Sequence, residues 1–426
     1  MQSFLHSHAV ALLCVQAVLV IASSRLLGML LKKLGQPLVI AEVLAGIALG
    51  PSLLGALSPS TLQLFFPPSS MPTLGLVSQL GLIFFMFLIG LELEPSLLRG
   101  MGKSALAISN VSIAFPFALG AGAAVVLAPK LNPSHVPLLS FVLFLGVALS
   151  ITAFPVLARI LSERRLTHTP VGSLAITCAA IDDVTAWCLL ALISAVVKAS
   201  GLANVGFTVL FSALYCLAMW FIARPLLARL LKERTERVGI SQRVVVWSVV
   251  LLLLSSLATE VIGIHALFGA FFCGVIMPRE GGLAHGLREK LEDLVVVFLL
   301  PLFFAYSGLR TQIGLLDSPG TWALCGLFTL LAVLGKFGGA TAAARITGQS
   351  WKDSISIGVL MNTRGLMELI VLNVGLDLGV LSPTLFAMMV IMALVTTFAT
   401  TPVLHLLTAR GGAREALFES GATSGP

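Results

Sequence analysis

The sequence predicts an all-α polytopic membrane protein of about thirteen transmembrane helices, built as inverted repeats with two crossing discontinuous helices. Three observations carry that expectation. Hydrophobic residues make up 58% of the 426 residues and charged residues 11%, with a mean hydropathy of +1.03, where a soluble domain carries roughly a quarter charged residues. Apolar stretches recur at about the 20 residues that a helix needs to cross the hydrocarbon core. Basic residues fall between those stretches, and mostly between alternate ones, as topology signals do.

In chain order the stretches run 8–31, 37–54, 74–93, 104–128, 136–161, 169–197, 204–231, 241–259, 262–278, 287–309, 319–345, 353–376 and 383–408. No basic residue precedes Arg25, so the first stretch reads as a span and not as a cleaved signal peptide. With the amino terminus outside, alternate loops and the carboxyl terminus collect about 21 of the 26 Lys and Arg, among them Lys32, Lys33, Arg164, Arg165, Arg234 and Arg237. The opposite loops hold Lys130, Lys198 and Arg310, and Lys336 and Arg364 remain inside spans. Residues 1–410 then form one transmembrane domain and 411–426 a short cytoplasmic tail. The net charge of +7 is not interleaved with aromatics, which excludes a nucleic-acid surface. All six cysteines lie in apolar runs without CxxC spacing and read as packing residues.

The stretches repeat. Phe85-Met86-Phe87-Leu88-Ile89-Gly90-Leu91-Glu92 in the third matches Phe303-Phe304-Ala305-Tyr306-Ser307-Gly308-Leu309-Arg310 in the tenth. Gly146-Val147-Ala148-Leu149-Ser150 in the fifth matches Gly358-Val359-Leu360-Met361-Asn362 in the twelfth. An odd offset of seven spans makes the copies enter from opposite faces, giving repeats at about 1–197 and 241–408 with a linker helix at 204–231. The fifth and twelfth spans are also the interrupted ones. Ser150-Ile151-Thr152-Ala153-Phe154-Pro155 ends on a proline that removes a backbone donor, and Asn362-Thr363-Arg364-Gly365 sets a charge and a glycine in an apolar helix. The plainer alternative is two kinked helices whose hydroxyls bond their own backbone. Unwound backbone is tolerated in a membrane only where it is buried in protein or lines a cavity, so the two segments should cross.

Four charged side chains are left inside spans, Asp182, Asp183, Lys336 and Arg364, with Glu368 a turn beyond Arg364. Charge at mid-bilayer is costly, so such residues are functional candidates. Adjacent aspartates on a helix point about 100° apart and can take different partners. One of them pairing permanently with Lys336 is the structural alternative. Carboxylate, hydroxyl and carbonyl oxygens are hard ligands suited to an alkali-metal ion, and a carboxylate that binds a cation when ionised and releases it when protonated couples the two in opposite directions. His265, Glu42 and Glu260 read as structural or interfacial. An intramembrane aspartyl protease would need carboxylates about 3 Å apart, typically from separate helices, so the chain is read as no enzyme and needs no cofactor.

Gln36-Pro37-Leu38-Val39-Ile40-Ala41-Glu42 with Gly46 to Pro51, Gly81-Leu82-Ile83-Phe84-Phe85-Met86-Phe87, Gly263-Ile264-His265-Ala266 with Phe268-Gly269-Ala270-Phe271, and Asn362-Thr363-Arg364-Gly365-Leu366-Met367-Glu368-Leu369 resemble the monovalent cation:proton antiporter-2 family over nearly the whole chain. The resemblance is to bacterial sodium/proton antiporters and plant-type cation/proton exchangers. It implies a thirteen-span antiporter fold, a homodimer, a core that moves in elevator fashion, and exchange of sodium or potassium for protons in a bacterial inner membrane. It implies Asp183 as the main cation ligand, Asp182 paired with Lys336, Ser150 and Thr152 lining the site, and Glu368 near the second crossing segment. Many plant exchangers have asparagine where this chain has Asp182, which points here to the electrogenic type with two protons per cation. A channel-like potassium efflux system or a cation-coupled solute symporter on the same fold is the alternative, although the nucleotide-binding tail of such efflux systems is not seen.

Overall fold

The computed structural model describes residues 8–92, 102–133, 136–163, 166, 169–198, 202–235, 241–278 and 282–422. Arg164, Arg165 and Arg237 of the basic partition lie outside the described residues. Every regular element described is helical, the arrangement that satisfies backbone groups within one segment in lipid. Among the described residues, eleven helices are long and apolar enough to cross a membrane, and the chain is an integral membrane protein.

The first half contains α1 (Ala9–Lys32), α2 (Leu38–Leu49), α3 (Met71–Glu92) and α4 (Lys103–Leu131). The fifth stretch is divided, as its proline predicts, into α5 (Leu138–Ser150) and α6 (Phe154–Glu163). Then come α7 (Pro170–Lys198) and α8 (Leu202–Ala218), which passes through a π-helical turn, Met219–Ala223, into α9 (Arg224–Thr235). The second half begins with α10 (Gln242–Ile262). The two stretches that add to the eleven take other forms. Residues 262–278 hold α11 (Ala266–Ile276), about 16 Å long at 1.5 Å per residue. Residues 353–376 hold a broken pair, described below.

Next, α12 (Leu283–Leu294) runs through a π turn, Val295–Leu299, into α13 (Leu300–Arg310). The helix α14 (Pro319–Val333) likewise passes through Leu334–Gly338 into α15 (Gly339–Ile346). The broken twelfth stretch is α16 (Trp351–Met361) and α17 (Gly365–Asp377). The last helix, α18 (Pro383–Ala422), carries the expected tail onward as helix.

Two crossings organise the packing. The helix α3 lies on α11 and α13 lies on α2, each through a pair of glycines. A Cβ on Gly90 would overlap the Phe271 carbonyl and one on Gly274 the Phe87 carbonyl. In the other crossing a Cβ on Gly308 would overlap the Val43 carbonyl and one on Gly46 the Ala305 carbonyl. Without a hydrophobic force between helices in lipid, such close backbone contact is what holds them. Gly90 and Gly308 are the matched positions of the sequence repeat. A second group, α4, α5, α7, α16 and the π turn at Leu334–Gly338, packs around the polar interior. Phe207, Leu210, Phe211, Phe221 and Ile222 stand exposed on α8 and its π turn, as suits side chains facing acyl chains.

Candidate functional site

The two breaks meet. The Ala153 amide donates to the Thr363 carbonyl at 2.9 Å, and Thr152 Oγ1 lies 3.1 Å from the Met361 carbonyl, so each unwound segment supplies groups the other has lost. Arg364 completes the crossing. Its Nη1 donates to the Ala148 carbonyl at 3.0 Å and its Nη2 to the Leu149 carbonyl at 2.6 Å, which places a cation at the carboxyl end of α5, where helix carbonyls concentrate negative charge. Nη1 also pairs with Glu368 Oε2 at 3.1 Å, one turn on. Gly365 follows with φ +55°, a left-handed conformation that favours glycine, and its amide donates to Thr397 Oγ1 at 2.9 Å.

The helix α7 brings its aspartates to this crossing, on divergent faces. Asp182 accepts four hydrogen bonds. Ser109 Oγ reaches Oδ1 at 2.6 Å, while Ser112 Oγ at 2.9 Å, Thr152 Oγ1 at 2.9 Å and Lys336 Nζ at 2.6 Å reach Oδ2. Lys336 also donates to Ser112 Oγ at 3.0 Å. Asp182 and Lys336 have no exposed surface. Asp183 is buried with far less. Its Oδ1 lies 3.5 Å from the Phe154 amide, and its Oδ2 has no hydrogen-bond partner. Phe154 opens α6, so this carboxylate sits at a helix amino terminus, the end that attracts anions.

Of the residues singled out in the sequence, Asp182, Asp183, Thr152 and Lys336 gather at one point. Asn362 and Thr363 lie in the second break, with Asn362 Oδ1 buried and unpartnered and Thr363 Oγ1 3.5 Å from Thr400 Oγ1. Arg364 and Glu368 bond to α5 and to each other. Ser150 does not join the aspartates, because its hydroxyl donates to the Val147 carbonyl at 2.8 Å, the local bond typical of serine in helices. Glu42, expected at a span end, is buried in α2. His265 caps α11, its Nδ1 accepting from the Leu267 amide at 3.4 Å, and Glu260 accepts from the Ala266 amide at 3.0 Å. Ser109 and Ser112 escaped the sequence reading. Their spacing of three on α4 sets both on one helix face, which was the available signal.

A cavity of about 780 Å³ reaches Phe154, whose backbone amide lies 3.5 Å from Asp183 Oδ1. Glu42, Glu92, Arg288, Glu292, Phe154 and Pro155 are among the residues that line it. Arg288 bonds Glu92 and Glu292 at its mouth, both at 2.9 Å. Toward the other ends of α3 and α13 lies a separate pocket of only about 20 Å³. There Arg310 pairs with Asp377 at 2.7 Å and donates to Asn373 Oδ1 at 3.2 Å, and Asn373 Nδ2 donates to Ser307 Oγ at 2.7 Å. Among the described residues, no group of three or more His, Cys, Asp or Glu is placed to hold a metal ion. The donor set is all hard oxygen.

Comparison with known proteins gives a consistent result. Residues 18–409 match the profile of the sodium/hydrogen exchanger, transmembrane family. The chain is 45% identical over 398 residues to the Na(+)/H(+) antiporter NhaS4 of Synechocystis, covering 93% of this chain and 97% of that protein. It is 44% identical to cation/H(+) antiporter 17 of Arabidopsis thaliana and 34% identical to K(+)/H(+) antiporter 1 of Saccharomyces cerevisiae. It spans 48% of the length of each of these two. The fold matches that of the sodium proton antiporter MjNhaP1 from Methanocaldococcus jannaschii, with a TM-score of 0.62 at 17% identity over 91% of this chain and 94% of that one.

Proposed function

The chain belongs to the sodium/hydrogen exchanger, transmembrane family, and from that premise we propose that it is a secondary antiporter exchanging a monovalent cation, sodium or potassium, for protons. The observation that carries the proposal is the inequality of the aspartates. Asp182 is saturated by three hydroxyls and Lys336, whereas Asp183 keeps a buried oxygen without a partner beside Phe154, a residue that lines the large cavity. An ionised carboxylate so placed calls for a counter-charge. A cation arriving through the cavity or a proton supplies it, and the two exclude each other. The chemistry asks for no cofactor. Carbonyls at the crossing and Thr152 can complete an oxygen shell.

The matched glycine crossings support reading the two halves as inverted repeats, with α8 as part of the linker. With the amino terminus outside and the basic loops inside, the cavity opens to the cytoplasm and the Arg310 end faces out. Alternating access then needs the group carrying α5, α7 and α16 to move against α3 and α13, in elevator fashion, within the homodimer that the family resemblance implies.

The test is proton flux in liposomes holding the purified protein under an imposed pH gradient, on addition of sodium or potassium. Wild type should collapse the gradient with one of these ions and Asp183→Asn should not. Conductive cation flux without proton movement would move the assignment to a channel, and flux dependent on an organic solute would move it to a symporter.

A further inference from the structure

We propose that Ser109 and Ser112 are positioning residues of the transport cycle, holding the Asp182 carboxylate so that Lys336 can part from it. The inference rests on the exchange reading above and adds two residues to the machinery.

Serine in an apolar helix ordinarily bonds the carbonyl three or four residues back. Ser23, Ser78 and Ser212 do so here, and Ser150 does the same beside the site. Ser109 and Ser112 depart from that habit. Both turn their hydroxyls onto a carboxylate of another helix, at 2.6 and 2.9 Å, and both are buried, at 0% exposure. Helix packing alone does not ask for this. Ser112 touches both members of the ion pair, donating to Asp182 Oδ2 and accepting from Lys336 Nζ at 3.0 Å.

A buried ion pair is costly to open because each partner is left charged in a dry interior. Asp182 is arranged so that opening does not strand its carboxylate. When Lys336 withdraws or gives up its proton, Ser109, Ser112 and Thr152 still donate to the carboxylate, and hydrogen bonds to an ionised acceptor are stronger than neutral ones. Without the serines only Thr152 remains. Their loss therefore falls on the step in which the pair opens. It does not fall on cation affinity, since the group that meets Asp183 is the Phe154 amide.

The experiment compares wild type, Ser109→Ala/Ser112→Ala and Ser109→Cys/Ser112→Cys in liposomes, normalised to folded protein. The alanine pair should lose about tenfold or more in kcat, with the KM for the cation held within about twofold. Cysteine, similar in size with a weak S–H donor, should fall between serine and alanine. A raised KM at unchanged kcat, or cysteine variants that run like wild type, overturns the proposal. If the alanine pair does not fold, Ser112→Ala alone carries the same comparison. Wild type without exchange overturns this inference together with the proposed function, whereas active wild type with indifferent variants overturns this inference alone.

Discussion

Arg364 is the largest side chain with no exposed surface among the described residues, and its guanidinium is held through its Nη groups. Two α5 carbonyls and Glu368 accept from them, while Nε is buried without a hydrogen-bond partner. Removing one member of such a pair strands the other, at about 3–5 kcal/mol, while removing both is often much cheaper. Arg364→Met should therefore lower the thermal unfolding temperature in detergent more than Arg364→Met/Glu368→Met does. A double variant as unstable as the two single losses combined would show that the charges do not depend on each other. The sequence makes Asp182, Asp183, Lys336 and Thr152 legible for the same energetic reason: a charge or a proline-adjacent hydroxyl in an apolar run has no innocent place. Ser109 and Ser112 are not legible that way. A hydroxyl in an apolar helix already has a partner one turn back, and only the fold reveals that these two chose a different one.

The helices were legible where their boundaries depend on local chemistry. Pro155 and the Asn362-Thr363-Arg364-Gly365 run mark both breaks, because neither can continue an apolar helix without losing a hydrogen bond or burying a charge. The π turns at Val295–Leu299 and Leu334–Gly338 left no such mark, since a π turn keeps helical dihedrals and is chosen by packing. The shortness of α11 was hidden for a related reason: Ile264 and Met277, which flank it, are as apolar as the helix itself. The glycine crossings carry the sharpest expectation at this scale. Gly308→Leu must push α13 off α2, because the Val43 backbone cannot yield as a side chain would. Gly122→Leu on α4, where a Cβ meets nothing within 4 Å, replaces glycine by a better helix former and should cost little or stabilise by up to about 1 kcal/mol. Size-exclusion profiles and unfolding temperatures of the two variants decide the matter. Equal behaviour would mean that the crossing is not what holds the two helices together.

The whole molecule is asymmetric in a way its repeat is not. Glu92 and Arg310 occupy matching repeat positions at the ends of α3 and α13, yet their partners differ. On the wide side Glu92 bonds Arg288 of α12, which leaves α6 lining an open cavity. On the narrow side Arg310 reaches across to Asp377 and Asn373 of α17, and Asn373 reaches back to Ser307 of α13. On the proposed alternating access, α13 has to part from α17 once in each cycle. The Arg310–Asp377 pair is 19% and 37% exposed, so water is at hand as it opens, and exposed pairs are worth only about 0–1 kcal/mol. Such a contact can mark the closed state without locking it. Arg310→Cys/Asp377→Cys, joined by a bifunctional thiol reagent in a background in which the exposed Cys14 and Cys188 are replaced by serine, should stop exchange, and a cleavable reagent should restore it on reduction. Charge removal by Asp377→Asn should leave exchange running, because little energy is lost when the pair parts. Exchange that continues through the cross-link would mean that α13 and α17 stay together throughout the cycle, and that the narrow end opens by another route.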